Sequence, residues 1–134
     1  MSDVFIIGDT ERMPELRHEV PLGIGDPFYY AEIGGRRHVI ITAFEADRVK
    51  DTGIDAEVHP AEVLRSDELA RAGVDQYEIQ LQMAVRAARY LELESALVPR
   101  RFPLGHADRL RAEGIELIPD QQFFDARRRV KTED

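Results

Sequence analysis

Gly34-Gly35 separates two runs of strand-forming residues, and this arrangement constrains the chain more than any other feature. Before it, Phe28 to Ile33 is rich in aromatic and β-branched residues. After it comes Arg36-Arg37-His38-Val39-Ile40-Ile41-Thr42. A two-residue hairpin turn needs positive φ, which glycine supplies without a Cβ clash. The two runs therefore predict a β-hairpin, and an antiparallel pair enters whatever sheet the chain builds.

The other elements follow from periodicity and punctuation. Val4 to Ile7, bounded by Asp3 and Gly8-Asp9, reads as a buried strand. Residues 9–27 hold Pro14, Pro21, Pro27, Gly23 and Gly25 and read as an irregular excursion with a helical turn near 14–19. Glu45 to Asp51 is a short helix closed by Gly53, and Ile54 to His59 a strand. Pro60 opens a helix at its first position, Val63, Leu64 and Leu69 give it an apolar side, Ser66 restarts it as a cap and Gly73 ends it. Asp75 and Glu78 have capping-box spacing at the head of the longest helix. Tyr77, Leu81, Ala84, Val85, Ala88 and Leu91 form its core-facing stripe, widened by Ile79, Met83 and Tyr90. Ala96 to Val98 is a strand ended by Pro99. Pro103 to Glu113 is a helix with Leu104, Ala107 and Leu110 inward. Ile115 to Ile118 is a strand ended by Pro119, and Asp120 caps a last helix containing Phe123 and Phe124.

Helices and strands that alternate through short connections build parallel pairing by right-handed crossovers. The predicted fold is therefore α/β: a mixed β-sheet, hairpin plus parallel βαβ strands, flanked by helices. A length of 134 residues suits one domain. Folding such a chain leaves roughly 7,000 Å² exposed out of roughly 22,000 Å², enough burial for a core without staples.

Composition excludes several function classes. No cysteine means no disulfide and no thiolate metal site. No run approaches the ~20 apolar residues of a membrane span, and Met1-Ser2-Asp3 does not open a signal peptide. The expected location is cytoplasmic, with no membrane partner. The net charge of −8 is uneven: Arg127, Arg128, Arg129 and Lys131 form a basic tail behind a body with 24 acidic and 14 basic groups. An acidic body argues against nucleic acid as a partner, because Lys and Arg must replace phosphate counterions.

The side chains that carry chemistry do not form a motif. His18, His38, His59 and His106 stand at least 20 residues apart, in no HExxH or HxH pair. Ser2, Ser66 and Ser95 lie in no GxSxG elbow. Gly23-Ile24-Gly25 precedes a strand rather than a helix, so it reads as a turn and not a phosphate cradle. Asp3 and Asp9 flank the first strand, where carboxylates of a two-metal nuclease or hydrolase using Mg²⁺ or Mn²⁺ would stand; solvated strand ends are the simpler account. Phe28 and Tyr30 share one face of their strand; core packing is the plain reading, and a subunit contact the sharper one. Catalytic, cofactor-binding and metal-binding residues are thus assigned to none of these positions.

Several blocks carry a resemblance. Asp26-Pro27-Phe28-Tyr29-Tyr30, Gly34-Gly35-Arg36-Arg37-His38-Val39 and Phe44-Glu45-Ala46-Asp47-Arg48 form one group. Val98-Pro99, Ala107-Asp108-Arg109-Leu110 and Gly114-Ile115-Glu116-Leu117 form another, and the tail reads Arg128-Arg129-Val130-Lys131-Thr132. In these blocks the sequence resembles the N-terminal domain of creatinase/prolidase-type metallopeptidases, with Xaa-Pro aminopeptidases nearest. The resemblance implies a ribonuclease-H-like motif for residues 3–126. It implies that residues 127–134, with Arg127, Arg128, Arg129 and Lys131, lead as a linker towards a C-terminal catalytic domain. That domain would hold the divalent metal (Mn, Co or Zn) on two Asp, one His and two Glu, none of which is carried over here. The N-terminal domain of such enzymes builds the homo-oligomer and walls the active-site entrance. The alternative is a stand-alone oligomerisation or interaction module with no peptidase partner domain.

Overall fold

The computed structural model describes residues 2–133, with side chains described through Arg129. Its exposed surface is 7547 Å², close to the value expected for a compact chain of this mass. Six strands form one sheet: β1 (Val4–Gly8), β2 (Phe28–Ile33), β3 (Arg36–Ile41), β4 (Glu57–Pro60), β5 (Ser95–Val98) and β6 (Glu116–Pro119). Their spatial order is β4-β3-β2-β1-β5-β6. The β1–β2 and β2–β3 pairs are antiparallel; β3–β4, β1–β5 and β5–β6 are parallel. The mixed sheet read from the sequence is therefore the observed one. Gly34 and Gly35 take φ of 59° and 83°, the left-handed region that the hairpin turn requires.

Alternation along the central strands builds two cores. Phe5, Ile7, Ala31 and Ile40 face α4 (Gln76–Tyr90) and α5 (Leu104–Ala112), which contribute Ile79, Met83, Ala84, Ala87, Ala88, Ala107 and Leu110. Val4, Ile6, Phe28, Tyr30, Val39 and Ile41 face the other way. There they meet Leu16 of α1 (Pro14–Glu19), Ala46 and Val49 of α2 (Ala43–Asp51) and Phe124 of α6 (Gln121–Glu133). A short helix α3 (Ser66–Arg71) completes the chain and buries none of its residues.

Local capping explains the long helix. The Asp75 carboxylate accepts the N–H groups of Tyr77 and Glu78 at 3.1 and 3.3 Å. Glu78 does not complete a capping box; its two oxygens take the Arg109 guanidinium of α5 instead.

Other boundaries move. Tyr77, Tyr90 and Leu104 are exposed rather than core-facing, because small alanines let α4 and α5 pack closely on their inner faces and the larger groups fall outside. β4 begins at Glu57, since residues 54–56 close a tight turn in which Ala56 N–H donates to the Ile54 carbonyl. Pro60 closes β4 and precedes a single 3-10 turn at Ala61–Leu64, not an α-helix. Ser66 makes no capping hydrogen bond and is the first residue of α3.

Candidate functional site

β1 and β5 run parallel side by side and end at Gly8 and Val98, so the segments following them leave the same edge of the sheet. Ligand sites of α/β sheets form outside the carboxyl ends of strands, where neighbouring connections diverge. A cleft of about 470 Å³ opens there, lined by Asp9, Arg12, Tyr29, Gln80, Arg101 and His106 among others.

The sequence shapes this cleft locally. Asp9 is buried and accepts the Arg12 N–H at 2.7 Å and the Arg12 guanidinium at 3.1 Å, turning the chain out of β1. Gly8 lies against the Met13 side chain, where an added Cβ would stand 2.9 Å from Met13 Cε and push that flexible end aside. Thr10 pins the Gly23-Ile24-Gly25 turn, bonding Ile24 N–H through its hydroxyl at 2.7 Å. Burial pushes the Tyr29 phenol up to about 12 and the His106 imidazole down, so both are neutral at physiological pH. Arg101 reaches from the cleft to Glu15 at 2.8 Å. That carboxylate is fully buried; Gln121 Nε2 also donates to its Oε1 at 3.0 Å, and its Oε2 has no protein hydrogen-bond partner.

The cleft offers guanidinium, imidazole and phenol hydrogen bonds on an apolar floor. Asp9, Tyr29 and His106 are its titratable neutral or acidic side chains, and Arg12 and Arg101 its cationic ones.

The positions singled out in the sequence fall elsewhere. Phe28 and Tyr30 are 2% and 0% exposed, inside the chain's own core. They are therefore corrected from a candidate subunit contact to core residues: the strand face they share is the one covered by α1 and α6. Asp3 and Asp9 stand at opposite ends of β1, about 20 Å apart by strand rise, and cannot share a metal pair. Asp3 accepts the Gly34 N–H at 3.1 Å.

The basic tail is a continuous part of α6, so the break placed at 126/127 falls inside a helix. Arg127 turns back into the domain. It grips Glu32 with both terminal nitrogens, one at 2.8 Å, reaches Glu19 at 3.1 Å and lies 4.4 Å over the Phe123 ring. Tyr30 O–H donates to Glu32 at 2.7 Å, and Arg37 donates to Tyr30 at 2.9 Å and to the Glu19 carbonyl at 2.8 Å. Burial alone raises the Glu32 carboxyl, but the Arg127 and Tyr30 hydrogen bonds and the Arg127 and Arg37 charges outweigh it and hold it below its ordinary value. Arg128 lies 3.6 Å from Asp125, Arg129 is on the exposed side of the helix, and the Lys131 side chain lies outside the described residues.

Sequence reasoning missed one group. Among the described residues, His38, Glu57 and His59 bring ligand atoms within 4.8 Å of one another. The only local signal is Glu57-Val58-His59, which puts two ligand types on one strand face.

No family model matches the chain, and no curated protein matches it by sequence. Solved structures do match. One is described as the aminopeptidase P, Xaa-Pro aminopeptidase, of Streptococcus thermophilus: TM-score 0.63, 13% identity, covering 96% of this chain and 85% of that one. Another is the N-terminal domain of an Xaa-Pro dipeptidase from Lactobacillus brevis: TM-score 0.59, 11% identity, covering 93% of this chain and 88% of that one. The chain shares the fold of these two structures, the second of them an Xaa-Pro dipeptidase N-terminal domain. Within this fold, the cleft lies at the carboxyl ends of β1 and β5, and Arg127 ties α6 back onto the sheet. No helix among the described residues is long and apolar enough to cross a membrane.

Proposed function

We propose that this chain serves as the non-catalytic N-terminal domain of an Xaa-Pro aminopeptidase- or dipeptidase-like metallopeptidase. The observation that carries the reading is the match of nearly the whole chain to domains of two such enzymes. In this role the divalent metal (Mn, Co or Zn) and the hydrolytic machinery belong to a C-terminal catalytic domain. The chain supplies homo-oligomer contacts and a wall of the active-site entrance, in a cytoplasmic protein.

The composition of the cleft supports a walling role. It sets hydrogen-bonding and cationic groups on an apolar floor. Tyr77 and Leu104 are exposed apolar groups beside its His106, with the Tyr77 ring edge-on to His106 at 6.4 Å. Exposed apolar groups around a polar cleft suit contact with another domain or subunit.

Sedimentation velocity and a peptidase assay test this reading. The expected outcome is self-association that Leu104→Asp or Tyr77→Asp weakens while circular dichroism is unchanged. Xaa-Pro peptides incubated with the chain and Mn²⁺, Co²⁺ or Zn²⁺ are expected to hydrolyse no faster than in buffer. Metal-dependent turnover by the chain alone would overturn the proposal, and a strictly monomeric chain would overturn its oligomerisation part.

A further inference from the structure

Three ligand-type side chains meet on one face of the β3–β4 pair. His38 lies opposite Glu57 in the parallel register, and His59 lies opposite Ile40. Glu57 and His59 are two residues apart on one strand, so both leave the sheet on the side of His38. His38 Nδ1 stands 3.1 Å from His59 Nε2 and 3.2 Å from Glu57 Oε2.

We propose that His38, His59 and Glu57 form a zinc site, with a fourth coordination position taken by water. The site is independent of the function proposed above.

Hydrogen bonding alone serves this cluster poorly. A neutral imidazole nitrogen either donates or accepts. If His38 Nδ1 donates, Glu57 Oε2 and His59 Nε2 compete for one hydrogen. If it accepts, the carboxylate faces a lone pair. A cation satisfies all three donor atoms at once. Tetrahedral zinc, with Zn–N and Zn–O bonds of about 2.0–2.2 Å, sets its ligand atoms roughly 3.3 Å apart. The two close separations have that length.

The surrounding contacts also suit a metal. The Tyr90 hydroxyl is 3.2 Å from His59 Nδ1, so an Nδ1–H donating to it leaves the Nε2 lone pair directed at the site. Arg36 donates to Glu57 Oε1 and leaves Oε2 available. The two imidazoles stack at 5.4 Å, and the Tyr90 ring stands edge-on to His59 at 5.3 Å. His38 is 13% exposed and Glu57 48%, which gives a held ligand and an open path for the ion. Two imidazoles and one carboxylate favour zinc over magnesium or calcium, which prefer all-oxygen shells.

Calorimetric titration of the tag-free, chelator-stripped chain with zinc chloride tests the site. One equivalent of zinc is expected to bind, and magnesium is not. His38→Asn and His59→Asn should each weaken binding at least tenfold, and Tyr90→Phe about tenfold. Circular dichroism checks that each variant folds. Should either histidine variant unfold, the visible spectrum of the cobalt-loaded unmodified chain decides: intense four-coordinate bands support the site, and weak octahedral bands overturn it. No zinc uptake at about 1 mM, or uptake that folded His59→Asn leaves unchanged, would also overturn it.

Discussion

Arg127 holds Glu32 in a two-nitrogen grip, joining the last helix to the second strand across 95 residues of sequence. Glu32 is nearly buried and its acceptor atoms are also shared with Tyr30. Removing the guanidinium leaves a mostly desolvated carboxylate with a single donor. Breaking a buried ion pair costs more than the pair contributes, and partial exposure lowers the figure. Arg127→Ala should therefore destabilise the domain by about 2 kcal/mol, and Glu32→Gln by somewhat less. Urea unfolding of both variants and the double variant measures the coupling. Additive losses would mean that the pair does not act as a unit.

The same carboxylate sets an acid limb. The Glu32 pKa is lower folded than unfolded, so the unfolded chain binds the proton more readily. Its contribution is fully present above the ordinary carboxylate range and is lost as pH falls through and below that range. Unfolding free energies measured from neutral to acid pH should fall more steeply for the unmodified chain than for Glu32→Gln. Parallel curves would refute this assignment.

Phe28 gives a prediction about packing. It is 2% exposed beside Ile24, Tyr30 and Phe124. Phe28→Ala should cost about 3–5 kcal/mol through the cavity it leaves. A folded, stable variant with altered self-association would instead restore the reading of Phe28 as a contact residue.

Glu78 and Arg109 pair on the surface between α4 and α5, at 2.7 Å. The Arg109 hydrogen bonds, with that of Gln82, pull the Glu78 carboxyl down to about 2. An NMR titration of the side-chain carboxyl should place its midpoint there. In Arg109→Ala the midpoint should return towards the ordinary value near 4.5. Identical midpoints in the two proteins would show that the pair does not form in solution.

Much of the fold was legible because it rests on local rules. The Gly34-Gly35 turn needs positive φ, Asp75 caps α4, and the apolar runs at Val4–Ile7 and Val39–Ile41 have no soluble alternative to burial. Tyr77, Tyr90 and Leu104 were misplaced because periodicity gives a stripe but not its width. Alanine on the inner faces decides how close the helices come. The cleft and the His38–Glu57–His59 cluster were not legible. Both depend on which strands become neighbours and in what register, and the β3–β4 pairing is made only after the chain has passed through α2. The tie of Arg127 back into the domain is not legible in a linker reading, because its partners, Glu19 and Glu32, lie about a hundred residues upstream.

A chain that works as one domain of a larger hydrolase belongs to a longer native polypeptide. The direct measurement is the intact mass and metal-dependent Xaa-Pro peptidase activity of the protein isolated from its source. The expected result is a polypeptide well above the 15.3 kDa of this chain, with the activity co-purifying. A native polypeptide of 15.3 kDa, with no peptidase activity associated with it, would contradict the proposed domain role.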